Sequence, residues 1–189
     1  MKLSLWHRLC FRLRFKLGFR SWMRRCWWSA QGARFGAQTG VPRLAITWPH
    51  QLQIGAHCIL EDDTIFKFDG MWQPGPSIVV GDRVFIGSNC EFNIIKRMEV
   101  GNDCLIASGC RFIDHNHGMA LDEPMNVQFN ESSAITLEEN VWLGVNVVVL
   151  QGVTIGRGAI VAAGAVVNKN INENEVWGGV PARKIKTRN

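Results

Sequence analysis

Between Leu137 and Asn172 the apolar positions recur every six residues without a gap, in hexads reading LEENVW, LGVNVV, VLQGVT, IGRGAI, VAAGAV and VNKNIN. The first residues are Leu137, Leu143, Val149, Ile155, Val161 and Val167; the fifth are Val141, Val147, Val153, Ala159, Ala165 and Ile171. A period of six fits neither the 3.6 of a helix nor the alternation of an ordinary strand. It fits short strands that turn a corner every six residues. The first residue then points into the coil, the fifth fills the corner, and Gly, Asn and Asp supply turn backbone. Such coils stack as parallel strands and bury their apolar positions only against their neighbours. The pattern predicts an all-β solenoid, a parallel β-helix.

The same frame recurs upstream in shorter runs, from Ile54, from Val80 and Ile86, and from Val100 and Ile106. It breaks over 61–79, which includes Trp72-Gln-Pro-Gly-Pro and reads as an irregular coil or loop, and over 113–134, rejoining near Ile135. The expected organisation is an N-terminal arm (1–30), a connecting segment (31–53), a β-helix (54–172) with a loop at 113–134, and a C-terminal tail (173–189). A long excursion from a rigid solenoid is where function is usually carried.

A chain of 189 residues with 47% apolar content can bury one substantial core. No apolar run approaches the roughly 18 residues of a membrane span, and no small-residue cleavage site follows an apolar stretch, so neither a span nor a secretory signal is expected. Of the six cysteines, Cys58, Cys90, Cys104 and Cys110 fall on position five of a hexad. They are expected as packing residues of a reduced, cytoplasmic protein. The sequence contains no CxxC, which argues against a cysteine metal site.

Charge is concentrated at one end. Residues 1–25 hold eight Lys or Arg and the first acidic residue is Glu61, while the rest of the chain holds 13 basic and 16 acidic groups. Arg8, Arg12, Lys16, Arg20 and Arg24 would form a basic stripe on a helix, beside Trp6, Leu9, Leu13, Leu17, Trp22, Met23, Trp27 and Trp28. An amphipathic, helical arm making peripheral contact with an anionic membrane through residues 1–28 is expected, at the inner face of the cytoplasmic membrane. Two other readings stay open: a strand over the alternating Phe11–Arg20, and a cap on the open end of the solenoid. If the arm serves the membrane alone, removing residues 1–28 leaves the solenoid and its assembly intact. No nucleic-acid module accompanies the charge, so no nucleic acid is expected.

The chemistry lies in the excursion. His115 and His117 flank Asn116 where the loop departs. Histidine exchanges a proton near neutral pH and suits a general base that activates a hydroxyl. A pair of capping loop histidines is the bland alternative. Leu105-Ile-Ala-Ser-Gly-Cys, Asp114-His-Asn-His-Gly, Asn140-Val-Trp-Leu-Gly, Gly152-Val-Thr-Ile-Gly, Val161-Ala-Ala-Gly-Ala-Val-Val and Trp177-Gly-Gly-Val-Pro-Ala-Arg-Lys-Ile follow one another in order. In that set the chain resembles the hexapeptide-repeat acyltransferases. It is most similar to the branch with galactoside, maltose and streptogramin acetyltransferases and the O-acetyltransferases of surface-polysaccharide synthesis.

The resemblance implies a left-handed β-helix, acetyl-CoA as co-substrate with no metal, and a homotrimer with active sites between adjacent subunits. It implies His117 as general base, with His115 a neighbour of open role. It places Trp142 in the acceptor and thioester region, and the backbone of Val145 and Ala163 at the thioester and pantetheine. Lys169, Arg183 and Lys186 would lie near the coenzyme phosphates. Val145 departs from the family, where a small or polar residue is common; a backbone contact survives that change. The implied activity is O-acetyl transfer to a sugar or glycan in cell-surface polysaccharide synthesis. The alternatives are N-acetyl transfer to an amine, a γ-carbonic-anhydrase-like zinc site needing His57 as third ligand, and a non-catalytic scaffold.

Overall fold

The computed structural model describes residues 18–188. The arm's first cations and Trp6 lie outside the described residues, as does the alternating stretch up to Leu17. From Arg34 the chain winds as a left-handed parallel β-helix with three sheets. Sheet A stacks Arg34–Phe35, Leu52–Ile54, Ile78–Val80, Met98–Val100, Ile135–Leu137 and Thr154–Ile155. Sheet C stacks Ile59–Leu60, Phe85–Ile86, Leu105–Ile106, Trp142–Leu143, Ile160–Val161 and Glu175–Gly178. Sheet B stacks Leu44–Ile46, Thr64–Phe68, Glu91–Ile94, Arg111–Ile113, Val148–Leu150 and Val166–Val167. A full coil runs A to C to B. Arg183–Thr187 closes sheet C as an antiparallel edge against Glu175–Gly178.

Each hexad position has one job. Positions one and five are buried throughout the downstream run. Position four takes the left-handed conformation, at His57, Asp63, Arg83, Asn89, Asp103, Gly109, Asn140, Asn146, Gly152, Gly158 and Gly164. That explains the Asn, Asp and Gly found there, which bear positive φ with the least strain. Phe66, Phe92 and Phe112 occupy position one in three successive coils of sheet B, with neighbouring rings stacked at 4.7 Å. The separation equals the spacing of neighbouring strands, so the aromatic column follows from the register. Cys58, Cys90, Cys104 and Cys110 are buried as free thiols, each donating to a carbonyl. Burial pushes the Cys104 thiol up to about 11.

Three expected boundaries move. Residues 61–68 remain in frame, with Thr64 at position five and Phe66 at position one, so only 69–77 leaves the repeat. The segment 31–53, expected as a connection, already supplies strands to sheets A and B and belongs to the solenoid. Much of the segment 173–189, expected as a tail, is the closing hairpin of sheet C. Among the described residues the arm contains one helix, α1 (Phe19–Ala30), which begins directly after Gly18. Its Ser21, Arg25 and Trp28 engage the first coil. The cap reading therefore holds for that face, and deletion of residues 1–28 would remove part of the fold. Among the described residues, no helix is long and apolar enough to cross a membrane.

Candidate active site

The loop leaves after Arg111–Ile113, at the corner between sheets B and A, and Asp114 anchors its base. Asp114 is fully buried. Its Oδ1 accepts from the amide of Ile95 (2.8 Å), and its Oδ2 from those of Lys96 (2.7 Å) and Arg97 (3.0 Å). These are the backbone of the same corner one coil earlier. The remaining capacity of Oδ1 goes to Nδ1 of His115, at 3.1 Å. A carboxylate can only accept, so Nδ1 carries the hydrogen, and in the neutral ring Nε2 is the acceptor. On the return path, Ser133 N–H donates to the Asp114 carbonyl at 2.8 Å, and His115–Asn116 pairs antiparallel with Glu131–Ser132. Farther out, Gln128 ties the loop to itself. Its Nε2 donates to the carbonyls of Ala120 (2.9 Å) and Glu123 (2.6 Å), and its Oε1 accepts from Ala120 N–H (2.9 Å).

His115 is almost enclosed, its side chain 11% exposed. His117 is exposed, and its ring has no protein partner among the described residues. The loop also exposes Met119, Leu121, Met125, Val127 and Phe129. Five exposed apolar side chains on one loop exceed what an isolated surface loop usually carries.

The other expected residues lie elsewhere on the same chain. Val145 and Ala163 stand one above the other on the corner between sheets C and B, where a Cβ on Gly144 would come within 2.6 Å of the Ala163 nitrogen. Among the described residues their position-three amides carry no side-chain cap, as is also the case at Ser108 one coil earlier on the same corner. At Ala56, Asp82, Ser88 and Arg157 the equivalent N–H is capped by a neighbouring coil, through Asp82, Asn102, Glu61 and Glu138 respectively. The Val145 and Ala163 amides have no such acceptor among the described residues. Arg183 pairs with Gly178 beside this corner, and Lys186 lies farther along the same strand, opposite Val176. Trp142 is half-exposed in an outward row of sheet C, in register with Leu105 and Ile160.

One chain does not bring these groups together. The strand Val148–Leu150 separates the Val145 corner from the corner where the loop leaves. At about 3.3 Å per residue the two corners are roughly 20 Å apart. Lys169 follows Val166–Val167 and so lies on the loop's corner, away from Arg183 and Lys186. His57 sits at the corner between sheets A and C, away from both loop histidines. Among the described residues, no three His, Cys, Asp or Glu side chains cluster as a metal site. Sequence reasoning passed over Asp114, although an acidic residue next to a histidine at a break in the repeat was the available signal.

The family model described as bacterial transferase hexapeptide (six repeats) matches residues 134–169, and that of the hexapeptide repeat of succinyl-transferase matches residues 77–110. WbbJ of Escherichia coli K12, named for O-acetyl transfer in lipopolysaccharide biosynthesis, is 39% identical over 120 residues, covering 59% of this chain and 61% of WbbJ. The galactoside O-acetyltransferase of the same organism is 29% identical, covering 70% of this chain and 62% of its own. Among solved structures, AntD, an N-acyltransferase from Bacillus cereus in complex with dTDP and 3-hydroxybutyryl-CoA, gives a TM-score of 0.74. That match has 20% identity and covers 87% of this chain and 88% of AntD. A hexapeptide-repeat acetyltransferase of Vibrio cholerae, complexed with acetyl coenzyme A, gives 0.67 at 24% identity, covering 94% and 83%. The chain spans about half to three fifths of the length of the first relatives it matches.

Proposed function

The chain belongs to the hexapeptide-repeat transferase family, and from that premise we propose that it is an acetyl-CoA-dependent O-acetyltransferase acting on a hydroxyl of a sugar or glycan in cell-surface polysaccharide synthesis. The observation that carries this is the pair of uncapped, stacked amides at Val145 and Ala163. They lie on a bare corner with Arg183 beside it. Such a surface fits an extended chain of amides that ends in phosphates: backbone donors meet the amide and thioester carbonyls, and Arg183 and Lys186 meet the phosphates.

Acetyl-CoA supplies the activated acetyl thioester. His117 takes the proton of the acceptor hydroxyl as its oxygen attacks the thioester carbonyl. Backbone N–H groups at the corner stabilise the charge that develops on the carbonyl oxygen. The departing thiolate takes up the proton that His117 removed, which restores the neutral base, and no acyl-enzyme is needed. Asp114 and His115 hold the loop so that His117 is presented at its base.

The two clusters lie on different corners, so the complete site forms between adjacent copies, and a homotrimer accounts for that. The outward row Ile59, Phe85, Leu105, Trp142, Ile160 and Val176, in continuous register along sheet C, gives such an assembly an apolar seam. Free buried thiols and the need for acetyl-CoA suit the cytoplasm.

The test is transfer of labelled acetyl from acetyl-CoA to a panel of sugars and lipid-linked glycans. Label released by mild base is an ester and supports the proposal. Label that survives mild base is an amide and converts the enzyme to an N-acetyltransferase. A His117→Ala protein with full transfer activity would remove the assigned base.

A further inference from the structure

Helix α1 presents two faces. On one, Ser21 Oγ accepts the Val41 amide at 2.9 Å. The Arg25 guanidinium donates to the carbonyls of Phe35 (2.5 Å), Gly36 (3.0 Å) and Thr39 (3.1 Å), and Trp28 packs against the core. These contacts lay the helix across the open end of the first coil. Successive residues turn by about 100°, so the opposite side carries Phe19, Met23, Cys26 and Trp27, with Trp22 at its edge. All five are exposed. Arg20 and Arg24 run along the other edge.

A second group of aromatics flanks the helix end. A Cβ on Gly32, just beyond α1, would come within 2.8 Å of the His50 side chain, and the His50 ring lies between Trp48 (ring centroids 5.9 Å apart) and Trp72 (6.2 Å). Both tryptophans are exposed. Residues 1–60 contain no acidic side chain. One end of the solenoid thus combines exposed tryptophans, a phenylalanine, a methionine and uncompensated positive charge.

We propose that this end docks on an anionic lipid surface, with α1 lying in the interface and Trp48 and Trp72 at its margin. Tryptophan partitions to the boundary between headgroups and acyl chains, and arginines beside it meet the phosphates. A second copy is a poor occupant, because it would bring the same positive charge against itself. The cap contacts already fix α1 on the solenoid, so docking orients the whole β-helix end-on. Asp114 follows the sheet B strand three coils beyond Leu44–Ile46, which puts the loop's base roughly 14 Å from the first coil at about 4.8 Å per coil, with the thickness of α1, about 10 Å, between that coil and the lipid. Taken with the proposed transfer reaction, on which only this consequence rests, that height selects acceptor sugars held near the bilayer by a lipid carrier.

The test uses the full chain and sedimentation with vesicles of phosphatidylcholine, with and without phosphatidylglycerol. The wild type should bind the anionic vesicles, release in high salt, and fail on pure phosphatidylcholine. A variant carrying Phe19→Ser, Trp22→Ser and Trp27→Ser should lose at least about tenfold in partitioning, with its melting temperature unchanged. Ile65→Ser, exposed on sheet B, should bind as the wild type does. Should the triple variant melt early, Arg20→Gln with Arg24→Gln decides, and must weaken binding severalfold at low salt. Wild-type binding by that pair overturns the proposal, as does wild-type binding by a stably folded triple variant. Equal binding to both vesicle types also overturns it, and self-association abolished by the same substitutions assigns the face to a second copy instead. Docking without any acetyl transfer would leave this inference standing and remove the proposed function.

Discussion

The corner between sheets C and B and the corner between sheets B and A run along the same coils, yet they are built in opposite ways. The first keeps the hexad unbroken and works by omission: at Val145 and Ala163 no side chain covers the amides, whereas at Ala56, Asp82, Ser88 and Arg157 an Asp, Asn or Glu does. The second breaks the hexad between Ile113 and Ile135 and holds the opening with one buried carboxylate. The difference follows from what a hexad can display. Its first and fifth positions are buried and its fourth is committed to a left-handed bend, so a repeat presents backbone easily and a mobile proton poorly. A titratable group that must reach a substrate has to come from an insertion.

Breaking the loop corner should produce the largest effect. His117→Ala is expected to lower kcat by roughly 10²–10⁴ while coenzyme affinity, carried by the other corner, stays nearly intact. Steady-state kinetics with separate titration of acetyl-CoA checks this. A fall of less than tenfold would shift the base to His115, whose Nδ1 donates to Asp114 and whose Nε2 is the acceptor of the neutral ring. Next in size is the anchor. Asp114→Ala strands three backbone donors that are partly shielded from water and frees His115, and should cost about 3 kcal/mol of stability. Denaturant unfolding measures it, and a change below about 1 kcal/mol would mean that the turn at Ile95–Arg97 finds other partners.

The sequence revealed the two corners unequally. Downstream of Leu137 every first and fifth position is aliphatic, so the coils can be counted directly. Upstream, threonine hides them. Thr39 and Thr64 occupy position five and are buried, but their hydroxyls bond to the carbonyls of Gly55 (2.7 Å) and Gly87 (3.3 Å). A polar residue with a satisfied hydroxyl packs there as valine would, and a hydrophobic pattern cannot detect it. The loop histidines were legible because they stand where the repeat fails. The separation of Lys169 from Arg183 and Lys186 was not, because spacing along a chain does not tell which of three corners each cation occupies.

That separation can be sharpened kinetically. Arg183→Ala with Lys186→Ala should raise KM for acetyl-CoA by about tenfold with kcat little changed, and the effect should shrink as salt screens the phosphates. Lys169→Ala, on the loop's corner, should add to that defect independently. If Lys169→Ala alone matches the double variant, the phosphates lie along the loop's corner and the amides at Val145 and Ala163 serve another ligand.

The smallest effect tests whether the closing hairpin keeps the bare corner in shape. Glu175 is buried and accepts from Lys184 Nζ (2.6 Å), Trp177 Nε1 (2.8 Å) and the Asn172 amide (3.3 Å). Lys184 first, then Trp177, holds its carboxyl down from 4.5 to about 2. A carboxyl depressed in the folded state stabilises the fold above its unfolded value. That contribution is complete above about pH 5 and is lost as pH falls from 4.5 towards 2. Thermal melts of the wild type and Glu175→Gln should therefore differ at neutral pH, with the wild type higher, and converge near pH 2. Lys184 shares its strand with Arg183 and Lys186, so the same substitution should raise KM for acetyl-CoA slightly. A constant gap between the two melting curves from pH 7 to pH 2 would show that the hairpin is held by Trp177 packing and the strand ladder, with no measurable contribution from the ion pair.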